Sequence, residues 1–157
     1  MTGFSIRRAT PDEAAIISAH RRAMFAEIAE PAAARLDALE AAFLPWVTQR
    51  LASEAYLGWL APDVDGAVVA GAGPWLMDWP PHIIGQKDCR GNNLNVYVLP
   101  KHRGPPLARQ LVHIIHSWCR AHGIHVVILQ ASDAARPLYA ELGFVATNEM
   151  RWLLDKR

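Results

Sequence analysis

Residues 94–108, Leu-Asn-Val-Tyr-Val-Leu-Pro-Lys-His-Arg-Gly-Pro-Pro-Leu-Ala, carry the parts of an anion site in the right order. Leu94, Val96 and Val98 alternate as in a strand. Arg103-Gly104 reads as a tight turn, and Pro105-Pro106-Leu107 as the opening of a helix, where proline is favoured at the first position. A helix N-terminus after such a turn offers unpaired backbone N–H groups and the positive end of the helix dipole. Pro105 and Pro106 have no N–H to give. The donors are therefore the amides of Arg103, Gly104, Leu107, Ala108 and Arg109, with the Arg103 and Arg109 guanidinium groups beside them. A second stretch, Ser132-Asp133-Ala134-Ala135-Arg136-Pro137-Leu138-Tyr139 followed by Leu142-Gly143-Phe144, adds a hydroxyl, a guanidinium and a phenol.

The surrounding elements must hold these groups together. Ser5–Ala9 is compatible with a short strand. Thr10-Pro11-Asp12-Glu13 is a helix start with the makings of a capping box, and the helix runs to about Ala29. A second helix is expected over Leu36–Ser53, kinked or broken at Pro45. Tyr56–Ala61 and Ala67–Leu76 read as strands joined by a hairpin turn at Asp65-Gly66. Residues 77–92, with Pro80, Pro81, Gly85 and Gly91, read as a long loop. Asn93–Leu99 is the next strand. Leu107, Leu111, Ile115 and Trp118 mark the buried face of a helix from about Pro105 to His122, ended by Gly123. His125–Gln130 is an apolar strand expected to be buried on both faces. Ala134–Leu142 is a short helix, and Val145–Leu154 supplies one or two last strands.

With these motifs in this order, the chain resembles the GCN5-related N-acetyltransferase (GNAT) family, most strongly over 93–144. The resemblance implies one α/β domain spanning 1–157: a mixed, mostly antiparallel sheet of six to seven strands flanked by about four helices. It implies acetyl-CoA as co-substrate, a small-molecule or peptide primary amine as acceptor, and direct attack in a ternary complex. Arg103 and Ala108 fall on the first and last places of the family's phosphate motif; Pro106 stands where that motif has glycine. The Val96, Tyr97 and Val98 backbone would pair with the pantetheine arm and polarise the thioester carbonyl. Ser132 replaces the family's asparagine near the arm, Ala135 keeps the motif, and Arg136 could reach a phosphate or stay solvated. Tyr139 falls at the general acid, and a phenol (pKa about 10) is matched to a leaving thiol (about 8.5). The strand Asn92–Tyr97 lacks the carboxylate many relatives use as base, which leaves Asp78, Asp88, His82 or a water chain. Met24, Phe25, Trp46, Trp75, Trp79 and Trp152 could line the acceptor site, with Trp75 and Trp79 as a cation–π pair. Core packing is the competing role for most of these six. The resemblance also implies a homodimer. An acetyl-CoA-binding module without turnover, and a transferase of another acyl group, remain as alternatives.

Bulk properties narrow the field further. A net charge of +1 gives no global pull toward nucleic acid or an anionic membrane. No apolar run reaches the ~18 residues of a membrane span, and the N-terminal residues lack a signal-peptide pattern. Cys89 and Cys119 stand alone, which suits reduced thiols in a cytoplasmic protein. His113 and His116 share a helix face without a third ligand at recognisable spacing, so no metal is expected.

Overall fold

The computed structural model describes residues 4–104 and 106–155. Within them the chain forms β1 (Arg7–Arg8), α1 (Ala14–Ala29), α2 (Ala33–Ser53), β2 (Trp59–Pro62), β3 (Val68–Asp78), β4 (Cys89–Val98), α3 (Leu107–Ala121), β5 (Val127–Ile128) and α4 (Arg136–Glu141). The five strands make one sheet in the order β1-β2-β3-β4-β5. Neighbours are antiparallel except β4 and β5, which run parallel.

Helices cover both faces. Ile17, Val47 and Leu51 of α1 and α2 close over Tyr56 and Leu60 on one side. Leu107, Leu111 and Ile115 of α3 pack under Trp59 and Val69 on the other. These three α3 side chains are fully buried, and each contributes about 2 kcal/mol of apolar burial. The helix stops where expected: Gly123 takes φ +73°, and the Ile124 N–H donates to the Cys119 carbonyl at 2.9 Å. The Asp65-Gly66 hairpin also forms, with Asp63 Oδ1 accepting from the N–H groups of Asp65 and Ala67 at 2.9 and 3.0 Å.

The start of α1 is fixed electrostatically. The Glu13 carboxylate accepts from the Thr10 N–H at 2.8 Å and from the Arg7 guanidinium at 2.6 Å. The Arg7 hydrogen bond, above all, holds the Glu13 carboxyl down at about 2, well below its usual 4.5. A depressed carboxyl pKa stabilises the fold above the unfolded value, and that contribution is lost as pH falls toward the folded value. Glu13→Gln should therefore cost about 1 kcal/mol at pH 7. Urea midpoints of wild type and variant should converge between pH 4.5 and 2; a gap that persists at pH 2 would remove the charge from the argument.

Several expectations are corrected. The sheet has five strands among the described residues, not six to seven, because Val145–Leu154 forms none. That segment lies across a cavity of about 580 Å³ from β5, so no ladder can bridge them, and Met150 and Trp152 are exposed. For the same reason β5 spans only Val127–Ile128 and is half-buried. The loop expected over 77–92 is shorter: β3 and β4 extend into it, with Met77 pairing Arg90 and Asp78 pairing Cys89, which leaves 79–88 as the connection. Tyr56 makes an isolated bridge to Trp75, and β2 begins only at Trp59. The second helix starts at Ala33 and runs unbroken through Pro45. Burial of Phe43, Val47 and Leu51 on one face outweighs the single N–H that proline lacks. The third helix begins at Leu107; Pro105 lies outside the described residues.

β4 carries one irregularity opposite the Gly71–Gly73 stretch of β3. Leu94 pairs with Gly73, but Tyr97 pairs with Gly71, so β4 carries one extra residue. This is a β-bulge, and Asn95 sits in it with φ +57°. The bulge reverses the alternation of side chains. Asn92 and Leu94 face α1 and α2, and so do Asn95 and Tyr97 after it, whereas Val96 and Val98 face α3. Leu94 therefore does not share a face with Val96 and Val98, as simple alternation implied.

Candidate active site

β4 and β5 pair only at Gly91–Val127 and Asn92–Ile128. Beyond Asn92 the β5-side edge of β4 has no strand neighbour among the described residues. Leu99 N–H donates to the Val69 carbonyl of β3 at 2.9 Å. By alternation the Tyr97 N–H also points to β3, and the N–H groups of Val96 and Val98 point to the open edge. Two of the three expected backbone positions thus present amides there, and Tyr97 does not.

The next segment presents the helix N-terminus. Gly104 takes φ +109°, and the space where its side chain would stand is open. Pro106 caps α3, its carbonyl accepting from Gln110 N–H at 2.9 Å. The amides of Leu107, Ala108 and Arg109 precede that first intrahelical bond and stay unpaired within the helix. The arginines are occupied differently from expectation. Arg103 donates from Nε to the Val98 carbonyl at 2.9 Å and from Nη2 to Glu27 at 2.7 Å. Glu27 also accepts from the Tyr97 hydroxyl at 2.7 Å. The Glu27 carboxyl is lowered by the Tyr97 and Arg103 hydrogen bonds, and the Tyr97 phenol is raised by burial and by Glu27. Arg109 pairs with Glu141 of α4 at 2.8 Å.

Ser132 accepts the Ala135 N–H on its Oγ at 3.3 Å, which secures the turn before α4. α4 then places Tyr139 in the wall of the 580 Å³ cavity, with Arg136 beside it. The Tyr139 ring meets Phe144 edge-on at 5.6 Å. Burial pushes the phenol above its ordinary pKa, so it holds its proton at neutral pH.

A second cavity of about 420 Å³ lies on the α1/α2 face, between Phe43, Trp46, Trp75 and Leu94. Trp46 and Trp75 meet edge-on at 5.5 Å. Gln130 lines both cavities, so they adjoin where β5 leaves β4. Of the six expected acceptor residues, Trp46 and Trp75 line this cavity, and Phe25 packs on Arg21 beside it. Trp79 instead lies under Arg90 at 4.3 Å, and Trp152 is exposed in the tail. Asp78, Asp88 and His82 are exposed on the β3–β4 hairpin and line neither cavity. Arg21 and Asn92 also line this cavity, and Asn95 accepts from Arg21 at 2.9 Å. The run Asn92-Asn93-Leu94-Asn95 is the sequence signal for the two asparagines, since asparagine is disfavoured inside strands.

Among the described residues no group of three or more His, Cys, Asp and Glu side chains could hold a metal ion. No helix among them is long and apolar enough to cross a membrane. Cys89 and Cys119 are both free thiols.

Comparison with known proteins gives a consistent picture. Residues 82–152 match the profile of the acetyltransferase (GNAT) domain. The GCN5-related N-acetyltransferase from Ralstonia eutropha JMP134 is 34% identical, with a TM-score of 0.91 over 97% of this chain and 99% of that one. A predicted acetyltransferase from Clostridium acetobutylicum, solved with acetyl-CoA, is 23% identical, with a TM-score of 0.84 over 96% of this chain and 95% of that one. An aminoglycoside acetyltransferase from an uncultured soil metagenomic sample shares the fold at 17% identity, with a TM-score of 0.71 over 99% of each chain. No curated protein matches the chain in sequence.

Proposed function

Because the chain belongs to the GCN5-related N-acetyltransferase family, whose members are acyl-CoA-dependent N-acyltransferases, we propose that it moves the acetyl group of acetyl-CoA to a primary amine by direct attack in a ternary complex. The observation that carries this reading is the meeting of two cavities at Gln130, beside the open edge of β4. One cavity holds a protonated phenol; the other is an aromatic pocket.

The cradle fits the donor. An added Cβ at Gly104 would meet nothing within 4 Å, which leaves room for phosphate oxygens against the amides of Leu107, Ala108 and Arg109. Acetyl-CoA supplies an activated thioester. The Val96 and Val98 amides hold the pantetheine arm and stabilise the oxygen as it gains charge. The amine nitrogen forms its bond to the carbonyl carbon as the C–S bond breaks. Tyr139 gives its proton to the departing thiolate and regains one, through water, from the acetylated nitrogen. No carboxylate among the described residues lines the aromatic pocket, so an ammonium acceptor loses its extra proton to solvent before it enters, and the amine attacks neutral.

Tyr139→Phe should lower kcat about 100-fold while titration calorimetry still shows acetyl-CoA binding. Thiol release from acetyl-CoA in the presence of an amine measures this. A wild-type protein that binds acetyl-CoA but releases no thiol with any amine would favour a binding module. Equal rates in wild type and variant would remove Tyr139 from the chemistry.

A further inference from the structure

Among the described residues Arg21 is the only ionisable side chain lining the aromatic pocket. It is half-buried, with its guanidinium carbon 4.7 Å from the Phe43 ring centre and 5.0 Å from that of Phe25. Among the described residues its one hydrogen bond runs from Nη1 to Asn95 Oδ1 at 2.9 Å, and no carboxylate pairs with it. Its sequence neighbour shows the contrast: Arg22 is neutralised by Asp37 and Glu40 at 2.8 and 3.0 Å. A cation set among aromatic rings without a counter-ion is costly to the apo protein. Arg21 Nε and Asn92 Oδ1 are also buried without a hydrogen-bond partner, and both residues line this pocket. The pocket therefore combines an uncompensated cation, a free side-chain acceptor and an apolar wall.

We propose that the acceptor is an amino-carboxylate with an apolar or aromatic side chain, its carboxylate on Arg21, its amine toward Asn92 and its side chain against the wall that Phe43, Trp46 and Trp75 form. This rests on the reading of the pocket as the acceptor site. Charge decides the class. A polycationic sugar would meet Arg21 with no acid to offset it, whereas a carboxylate neutralises Arg21 and leaves a nearly neutral complex. Asn92 lies on β4 at the last pairing with β5, so an amine held there stands where the two cavities meet. The guanidinium fork suits a carboxylate better than a point charge does.

The test compares phenylalanine, phenylalaninamide and 2-phenylethylamine as acceptors, by thiol release from acetyl-CoA. Wild type should favour phenylalanine over phenylalaninamide about tenfold or more in kcat/KM, because loss of the carboxylate leaves Arg21 unpaired. The preference should reside mainly in KM. Arg21→Gln should collapse it toward one, and Arg21→Lys should restore part of it. Both variants should keep their affinity for acetyl-CoA, which a general loss of structure would not allow. Equal rates on phenylalanine and its amide, or an Arg21→Gln loss that is the same for all three amines, would overturn the proposal. If none of the three turns over, calorimetry of phenylalanine against the coenzyme A-saturated protein decides: binding that Arg21→Gln abolishes supports the acceptor class, and no binding overturns it. Failure of acetyl-CoA itself to bind falls instead on the donor half of the proposed function.

Discussion

Gly73→Ala is expected to destabilise the fold by about 3 kcal/mol or more. A Cβ at Gly73 would stand 2.5 and 2.6 Å from Oη and Cζ of Tyr56, and closer still to the Leu57 carbonyl oxygen. Neither neighbour can yield cheaply. Tyr56 and Leu57 are 1% and 2% exposed. The backbone around them is tied to β3 by Leu57 N–H to the Pro74 carbonyl at 3.2 Å and Leu76 N–H to the Ala55 carbonyl at 2.8 Å. Gly73 is also the last β3 residue to pair with β4 before the bulge, opposite Leu94. The clash therefore pushes on the strand that opens the site. Thermal unfolding should drop by about 6–12 °C. A drop under about 2 °C would mean that the Tyr56 segment can shift, and that β3 and β2 are less tightly joined than the geometry implies.

Gly104→Glu should weaken acetyl-CoA binding about 100-fold or more. Two effects combine, and a companion variant separates them. The φ of +109° strains any side chain, which Gly104→Ala also reports, at about 1–2 kcal/mol of stability. Only glutamate adds a negative charge before the first turn of α3, where three amides are proposed to receive phosphate oxygens. Helix dipole and open amides attract an anion; a fixed carboxylate competes for the same donors and repels the ligand. Titration calorimetry of both variants with acetyl-CoA should show binding kept in alanine and lost in glutamate. Unchanged affinity in glutamate would move the phosphate site away from Gly104.

What could be read from residues alone followed the range of the interactions involved. The Thr10–Glu13 helix start, the Asp63–Gly66 turn and the Gly123 stop are set by contacts within a few residues, and each formed as expected. The α3 face was legible because helical period alone selects Leu107, Leu111 and Ile115. Pro45 does not break α2, because burial of α2 against the sheet, a tertiary effect, overrides a local breaker. The end of β5 and the fate of Val145–Leu154 depend on pairing across the sheet, which no local signal encodes. Near the site, the turn at Gly104 and the start of α3 were legible from glycine and proline. Arg21 was not, because Arg21-Arg22 reads as a charged pair on a solvated helix. Only packing turns Arg22 outward to Asp37 and Glu40, and Arg21 inward to Phe43 and Asn95.

The bulge at Asn95 also changes how mutational data along β4 must be interpreted. Upstream of it, the even-numbered residues Asn92 and Leu94 face the aromatic pocket; downstream, the odd-numbered Tyr97 faces the same side, and Val96 and Val98 face the α3 core. Tolerance to substitution along this strand thus has a phase that reverses at Asn95. A scan fitted with a single period of two would assign Val96 and Val98 to the aromatic pocket and mistake core packing there for a role in the pocket. Read in two phases, the same scan separates the residues that pack against α3 from those that face the aromatic pocket.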